Sequence, residues 1–440
     1  MSDETKAAPA VEQPTSLQMK ALVLAIVIGV IAATAASVFL WIVDGGQELF
    51  YKTLPEKFGW ETIPAWWVLL MLLLGAALVL AGRKLPGATG GSPLSGFHFT
   101  NPVSWAPGIL VAAVGTLAFG AALGPEGPLI VLGSLLGAIL LRKAGEQAQK
   151  LGMLLGGMAA IGTVFGNPFV AAFMLLEFAA MGAAPAAVLL PCFVALGAGY
   201  ITLVGWGSWT GFGVHSLTVP GLPSYESIHP TDLLAGLLVA IVVAILAALA
   251  RELGERTDML AGKRPTAVLL AVAIITAGVA ILVTTVFDVP YSQILFSGQT
   301  GMTTLIAQTS AAAVLAIVIG KLVVYGVALG GGFRGGPVFP ATFIGVGFGV
   351  LTALVFTNIS VSPMAAVGIA AAATVMLRLP FTSALLGMLL IGGAGAGIAP
   401  FAIVGSVVGF IARQALDKLD AKRKAAVHVE GEVVNGANAG

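Results

Sequence analysis

A chain of 440 residues that is 58% hydrophobic, 9% charged and of mean hydropathy +1.01 is a polytopic membrane protein, not a soluble domain with a large core. Its net charge of +1 gives no footing for nucleic acid, and its single cysteine, Cys192, excludes a disulfide within the chain. The histidines, at 98, 215, 229 and 428, have no ligand spacing, so neither a metal nor a dissociable cofactor is expected.

Residues 1–17 are polar and Pro/Ala-rich and read as a disordered tail. Lys20 opens an apolar run without an evident signal-peptidase site, so 18–43 is expected to be a first span, not a cleaved signal. Apolar segments at 64–82, 103–123, 127–141, 151–180 and 184–206 complete a first membrane repeat, 18–228. Those at 231–250, 265–287, 303–328, 338–356, 361–376, 380–394 and 396–412 make a second repeat, 229–420, before a polar tail at 421–440. Several approach the ~20 residues of a full span, while others are short or broken by Gly and Pro. Basic clusters at Arg83-Lys84, Arg142-Lys143 with Lys150, Lys263-Arg264 and Arg413 to Lys424 mark cytoplasmic ends. Trp66, Trp67, Trp206 and Trp209 fit aromatic belts.

The stretch Gly124-Pro125-Glu126-Gly127-Pro128 stands apart. From Leu85 to Leu141 the only Asp, Glu, Lys or Arg is Glu126. A lone carboxylate at membrane depth is costly, which points to an ion or proton path. The flanking glycines and prolines open the backbone, so a helix is expected to start inside the membrane with free amides that favour anions. A carboxylate at that end is itself an occupant for such a site, hence a gate; the alternative is a glutamate that only caps a broken helix.

A shift of 212 positions lays the second half of the chain on the first. Gly124-Pro125-x-x-Pro128 falls on Gly336-Pro337-x-x-Pro340, Gly120, Gly133 and Gly137 on Gly332, Gly345 and Gly349, Gly156 on Gly368, and Pro168-Phe169 on Pro380-Phe381. Interrupted helices at matching places in two repeats point to a substrate site at the repeat interface. Val338 takes the place of Glu126, so the pair has one carboxylate, and the amides of Val338 and Phe339 can face the same anion from the other side.

These residues resemble the CLC chloride channels and proton/chloride antiporters. Gly124-Pro125-Glu126-Gly127-Pro128 is similar to their GREGP or GKEGP signature, and Gly336-Pro337-Val338-Phe339-Pro340 to their GxFxP loop. Phe165-Gly166-Asn167-Pro168 through Glu177 is similar to their helix with an NxP start, and Gly332-Phe333-Arg334-Gly335-Gly336 looks like a bacterial branch of the family. The resemblance implies an all-α polytopic membrane fold of two inverted-topology repeats with re-entrant helices, and a homodimer with one pathway per subunit in a cell membrane, bacterial inner membrane included. It makes Glu126 the external gate, and makes the amides around Gly127, Val338 and Phe339 anion ligands. The family's GSGIP loop has its counterpart in Gly90-Gly91-Ser92-Pro93, where Ser92 offers a hydroxyl to the anion or is an ordinary interfacial turn.

Two departures follow from the same comparison. The inner glutamate that hands protons to the gate in the family's antiporters falls on Phe178, one place after Glu177. One helical step turns a side chain about 100°, so Glu177 need not face the same route. The last tyrosine is Tyr325, so the C-terminal helix lacks the tyrosine that closes the pathway from the cytoplasm. Both favour a passive chloride channel, with a proton/chloride antiporter, a fluoride or nitrate transporter and an intramembrane enzyme using Glu126 as a base as alternatives. Arg334 either raises the local potential for anions, or snorkels to an interface or pairs with a carbonyl, and Lys321 reads as a structural lysine near a helix end.

Overall fold

The computed structural model describes residues 16–86, 91–97, 99–182, 184–210, 218–219 and 221–437. Gly90, His98 and His215, and residues 1–15 of the N-terminal stretch, lie outside them. The first repeat runs α1 (Ser16–Glu48), α2 (Leu54–Lys57), α3 (Ala65–Arg83), α4 (Ala106–Leu117), α5 (Glu126–Leu140), α6 (Glu146–Val164), α7 (Pro168–Ala180) and α8 (Leu189–Thr210). The second runs α9 (Pro230–Lys263), α10 (Pro265–Phe287), α11 (Met302–Ile306), α12 (Ala311–Gly330), α13 (Val338–Val355), α14 (Val361–Leu377), α15 (Pro380–Leu390) and α16 (Ala399–Ala437). No strand occurs among the described residues; α16 continues as helix through most of the stretch read as a polar tail.

The breaks fall where the sequence opens the backbone. The run 151–180 divides at Gly166-Asn167-Pro168: Gly166 takes φ +57°, and the Asn167 side chain accepts from the Phe169 amide at 2.9 Å to cap α7. Proline at the first helical position starts both α7 and α15, at 168 and 380, which are 212 apart. Left-handed backbone recurs at the same offset, in Gly120 and Gly332 (φ +111° and +95°) and in Gly166 and Arg378 (φ +57° and +63°).

Small residues set the packing. A Cβ on Gly133 would run into the carbonyl of Gly156, and one on Gly345 into that of Gly368, so α5 crosses α6 and α13 crosses α14 backbone against backbone. Residues 362–376 of α14 are buried on every side, the mark of a helix central to the bundle. By contrast, α9 turns Leu234, Leu238 and Ile245 outward, an apolar face suited to lipid. Among the described residues eight helices are long and apolar enough to cross a membrane, and α5, α7, α14 and α15 are shorter. The protein is a multi-pass membrane protein. Gly124 and Gly336, 212 apart, pair antiparallel with each other, and such a pair implies a local two-fold axis between the repeats. That is the relation an inverted-topology repeat requires.

Lys321 departs from its expected place. It sits at the middle of α12, fully buried, and its Nζ donates to the carbonyls of Ile294, Leu295 and Phe296 at 3.1, 2.7 and 2.8 Å. The Phe343 ring lies 4.9 Å from the ammonium. Three carbonyls stand in for water and hold the loop before α11 against the core.

Candidate functional site at the repeat junction

The two interrupted segments meet head to head. Gly124 N–H donates to the Gly336 carbonyl at 2.8 Å, and Gly336 N–H returns a bond to the Gly124 carbonyl at 2.6 Å. This pairing fixes the N-termini of α5 and α13 beside each other. Pro125 and Pro337 are the residues that precede the two helices, and neither has an N–H to offer. The first free donors are therefore the amides of residues 126–127 and 338–339, as the repeat suggested.

Glu126 is fully buried and crosses from α5 to the end of α13, where its Oε1 accepts from the Val338 amide at 2.5 Å. The amides of Phe339 and of Glu126 itself lie alongside. Its Oε2 has no hydrogen-bond partner among the described residues. No described ion pair involves Glu126, so the carboxylate is held by helix-end amides rather than by a cation. A Cβ on Gly124 or on Gly336 would overlap that carboxylate. Neither glycine has a positive φ, so both are needed for room and not for backbone conformation.

Next to this junction is a cavity of about 50 Å³ bordered by Ser92, Asn101, Gly127, Arg334 and Pro337. A wider one, about 420 Å³, is bordered by Arg83, Asp258 and Gly332 and shares Ser92 and Arg334 with the first. The two residues border both cavities, and Arg83 and Arg334 face the wider one with Asp258. Arg334 spans the repeats: its amide donates to Thr116 Oγ1 at 2.9 Å and its NH1 to the Gly91 carbonyl at 3.0 Å. Of the readings weighed from the sequence, the carbonyl partner is the one seen, and the residue also borders both cavities. Among the described residues the Ser92 hydroxyl makes two long contacts, donating to the Leu329 carbonyl and accepting from the Leu94 amide, both at 3.4 Å.

Glu177 and Phe178 lie elsewhere. The Glu177 carboxylate accepts from the amides of Phe381 and Thr382 at 2.8 and 2.7 Å, and from the Thr382 hydroxyl. It caps α15 of the other repeat, where the residue before the helix, Leu379, has no capping side chain. The Phe178 ring packs edge-on to Phe99 at 6.0 Å. Of the predicted set the structure therefore gathers Ser92, Glu126, Gly127, Val338 and Phe339 at one junction and leaves Glu177 and Phe178 outside it. Thr116 was not singled out from the sequence; a threonine in an apolar helix carries no local signal. Tyr325 was noted only as the last tyrosine, yet its hydroxyl donates to the Pro337 carbonyl at 2.6 Å, right at the start of α13.

Residues 92–414 match the family model described as voltage gated chloride channel. YfeO of Escherichia coli O139:H28, named as a candidate ion-transport protein, is 29% identical over 338 residues, covering 74% of this chain and 77% of its own. YfeO of Shigella flexneri serotype 5b is equally similar, 29% identical over the same length. Among solved structures, a slow cyanobacterial Cl⁻/H⁺ antiporter matches 92% of this chain and 95% of its own with a TM-score of 0.74 at 19% identity. A CLC-type fluoride/proton antiporter matches 91% and 98% with a TM-score of 0.66 at 20% identity. At these identities the structural likeness speaks for the fold.

Proposed function

The chain belongs to the voltage gated chloride channel family, and we propose that it moves a small anion, chloride first, across the membrane through the repeat junction with Glu126 as the gate. The observation that carries this is the Glu126 carboxylate seated on the Val338 amide. An anion entering from the Arg83–Arg334 vestibule would pass Ser92 and reach Gly127, then compete with that carboxylate for the same helix-end donors. The site uses partial charges and a rotatable hydroxyl, so an anion is attracted without being trapped by a full ion pair. Protonation removes the charge that lets the carboxylate compete, so flux should rise as pH falls. Glu126→Gln should give flux that is high and nearly independent of pH in liposomes loaded with chloride. A variant with no flux at all would point instead to Glu126 as an obligatory chemical group.

Passive conduction is favoured by Glu177, which is tied to three donors on α15 rather than facing the gate. Proton-coupled exchange is the second reading, favoured by the likeness to two structures described as antiporters. A homodimer with one pathway in each subunit is part of the same proposal, carried by family membership.

A further inference from the structure

We propose that Tyr325 is a positioning residue for the anion site, setting the direction and donor strength of the Val338 amide through the peptide group that amide shares with Pro337. The inference rests on the reading of Val338 as an anion ligand and Glu126 as its competitor. The Tyr325 side chain on α12 is fully buried, and its hydroxyl donates to the Pro337 carbonyl at 2.6 Å. The Pro337 carbonyl and the Val338 N–H belong to one planar, conjugated amide. That N–H donates to Glu126 Oε1 at 2.5 Å. Hydroxyl, peptide and carboxylate thus form a chain of two hydrogen bonds in series.

A donor on the carbonyl oxygen draws electron density from the amide nitrogen and makes its N–H a better donor. Hydrogen bonds in such a chain reinforce one another where the dielectric is low. The hydroxyl also fixes the peptide plane, so the N–H does not have to be oriented when an anion arrives.

The asymmetry of the repeat supports a role beyond satisfying a buried hydroxyl. At the 212 offset, Tyr325 falls on Ala113, just as Val338 falls on Glu126. The Pro125 carbonyl accepts from the Leu129 N–H at 3.2 Å, a bond made by the first turn of α5 itself. The amide that receives the carboxylate is backed by a tyrosine, where the matching position of the first repeat holds Ala113.

Tyr325→Phe keeps the ring and removes the hydroxyl alone. Two readouts test it in the full-length protein: the pH profile of chloride efflux from liposomes, and chloride affinity by calorimetry in the Glu126→Gln background, where the competitor is neutral. The expected result is an efflux profile displaced to higher pH, because the ionised gate is held less firmly. In the double variant the chloride Kd should rise about two- to tenfold, the span of one net hydrogen bond. Neither a midpoint nor a Kd depends on how much protein is folded, so a loss of yield does not obscure the outcome. An unchanged midpoint together with an unchanged Kd overturns the proposal. If Glu126→Gln leaves the pH dependence of flux intact, the gate reading falls while the Kd comparison still decides the role of Tyr325. No measurable chloride binding to Glu126→Gln overturns both.

Discussion

A carboxylate buried without a cation usually signals a large uncompensated cost, yet Glu126 is placed where two helix ends offer amides. Gly124 and Gly336 make that placement possible by leaving the volume the carboxylate fills. Since Gly336 has no positive φ, alanine is tolerable to its backbone, and the nearest atoms its Cβ would meet belong to Glu126. Gly336→Ala should therefore displace the carboxylate without deleting it while also narrowing the place the anion takes, so chloride flux should lose its pH dependence without reaching the level of Glu126→Gln. Flux that stays pH-dependent at the wild-type level would mean the carboxylate is not what closes the site. Glu126 was legible in the sequence because it is the lone charge of a long apolar stretch, and Val338 because the repeat sets it opposite. Thr116 was not, because its contact is with Arg334, 218 positions away.

Among the elements, interruption is the working feature. Each repeat breaks an apolar segment so that a helix begins at depth, and α5 and α13 begin at residues 126 and 338. The glycine crossings at Gly133–Gly156 and Gly345–Gly368 lock each such helix to its neighbour. Gly345→Leu should therefore lower the thermal midpoint in detergent or abolish recovery of folded protein, whereas Ile403→Leu, on the exposed face of α16, should leave it within a degree or so. Glu177 is a second element-scale device, a cap supplied by α7 to α15 across the repeats. Glu177→Ala leaves buried donors unanswered and should cost about 2–4 kcal/mol, read as a lowered unfolding midpoint. If that variant instead kept full stability and lost only a pH-driven flux, Glu177 would be a proton donor and not a cap. Hydropathy and the 212 offset located the broken helices well because Gly, Pro and Asn act on their own backbone. They could not show what Glu177 caps, since its partners are 204 and 205 positions further on and Leu379 carries no capping signal of its own. Lys321 escaped for the same reason: three backbone carbonyls, 25 to 27 positions upstream, satisfy it without any complementary side chain.

Across the whole molecule the two-fold relation does the organising. It brings equivalent helix ends to one point, while the residues that differ between copies, Glu126 against Val338 and Tyr325 against Ala113, give that point a direction. A wider cavity bordered by Arg83 and Arg334 shares Ser92 with a smaller one beside the junction. Arg334, which borders both cavities, is bonded to the Gly91 carbonyl. What separates a channel from an exchanger is whether a proton must move for every few anions, and that is a thermodynamic quantity. The most direct measurement is the reversal potential of the purified protein in liposomes under a chloride gradient, taken with and without a superimposed pH gradient. Passive conduction gated by Glu126 requires a reversal potential at the chloride equilibrium value whatever the pH gradient. A shift when the pH gradient is applied would contradict it and establish proton-coupled exchange through the same junction.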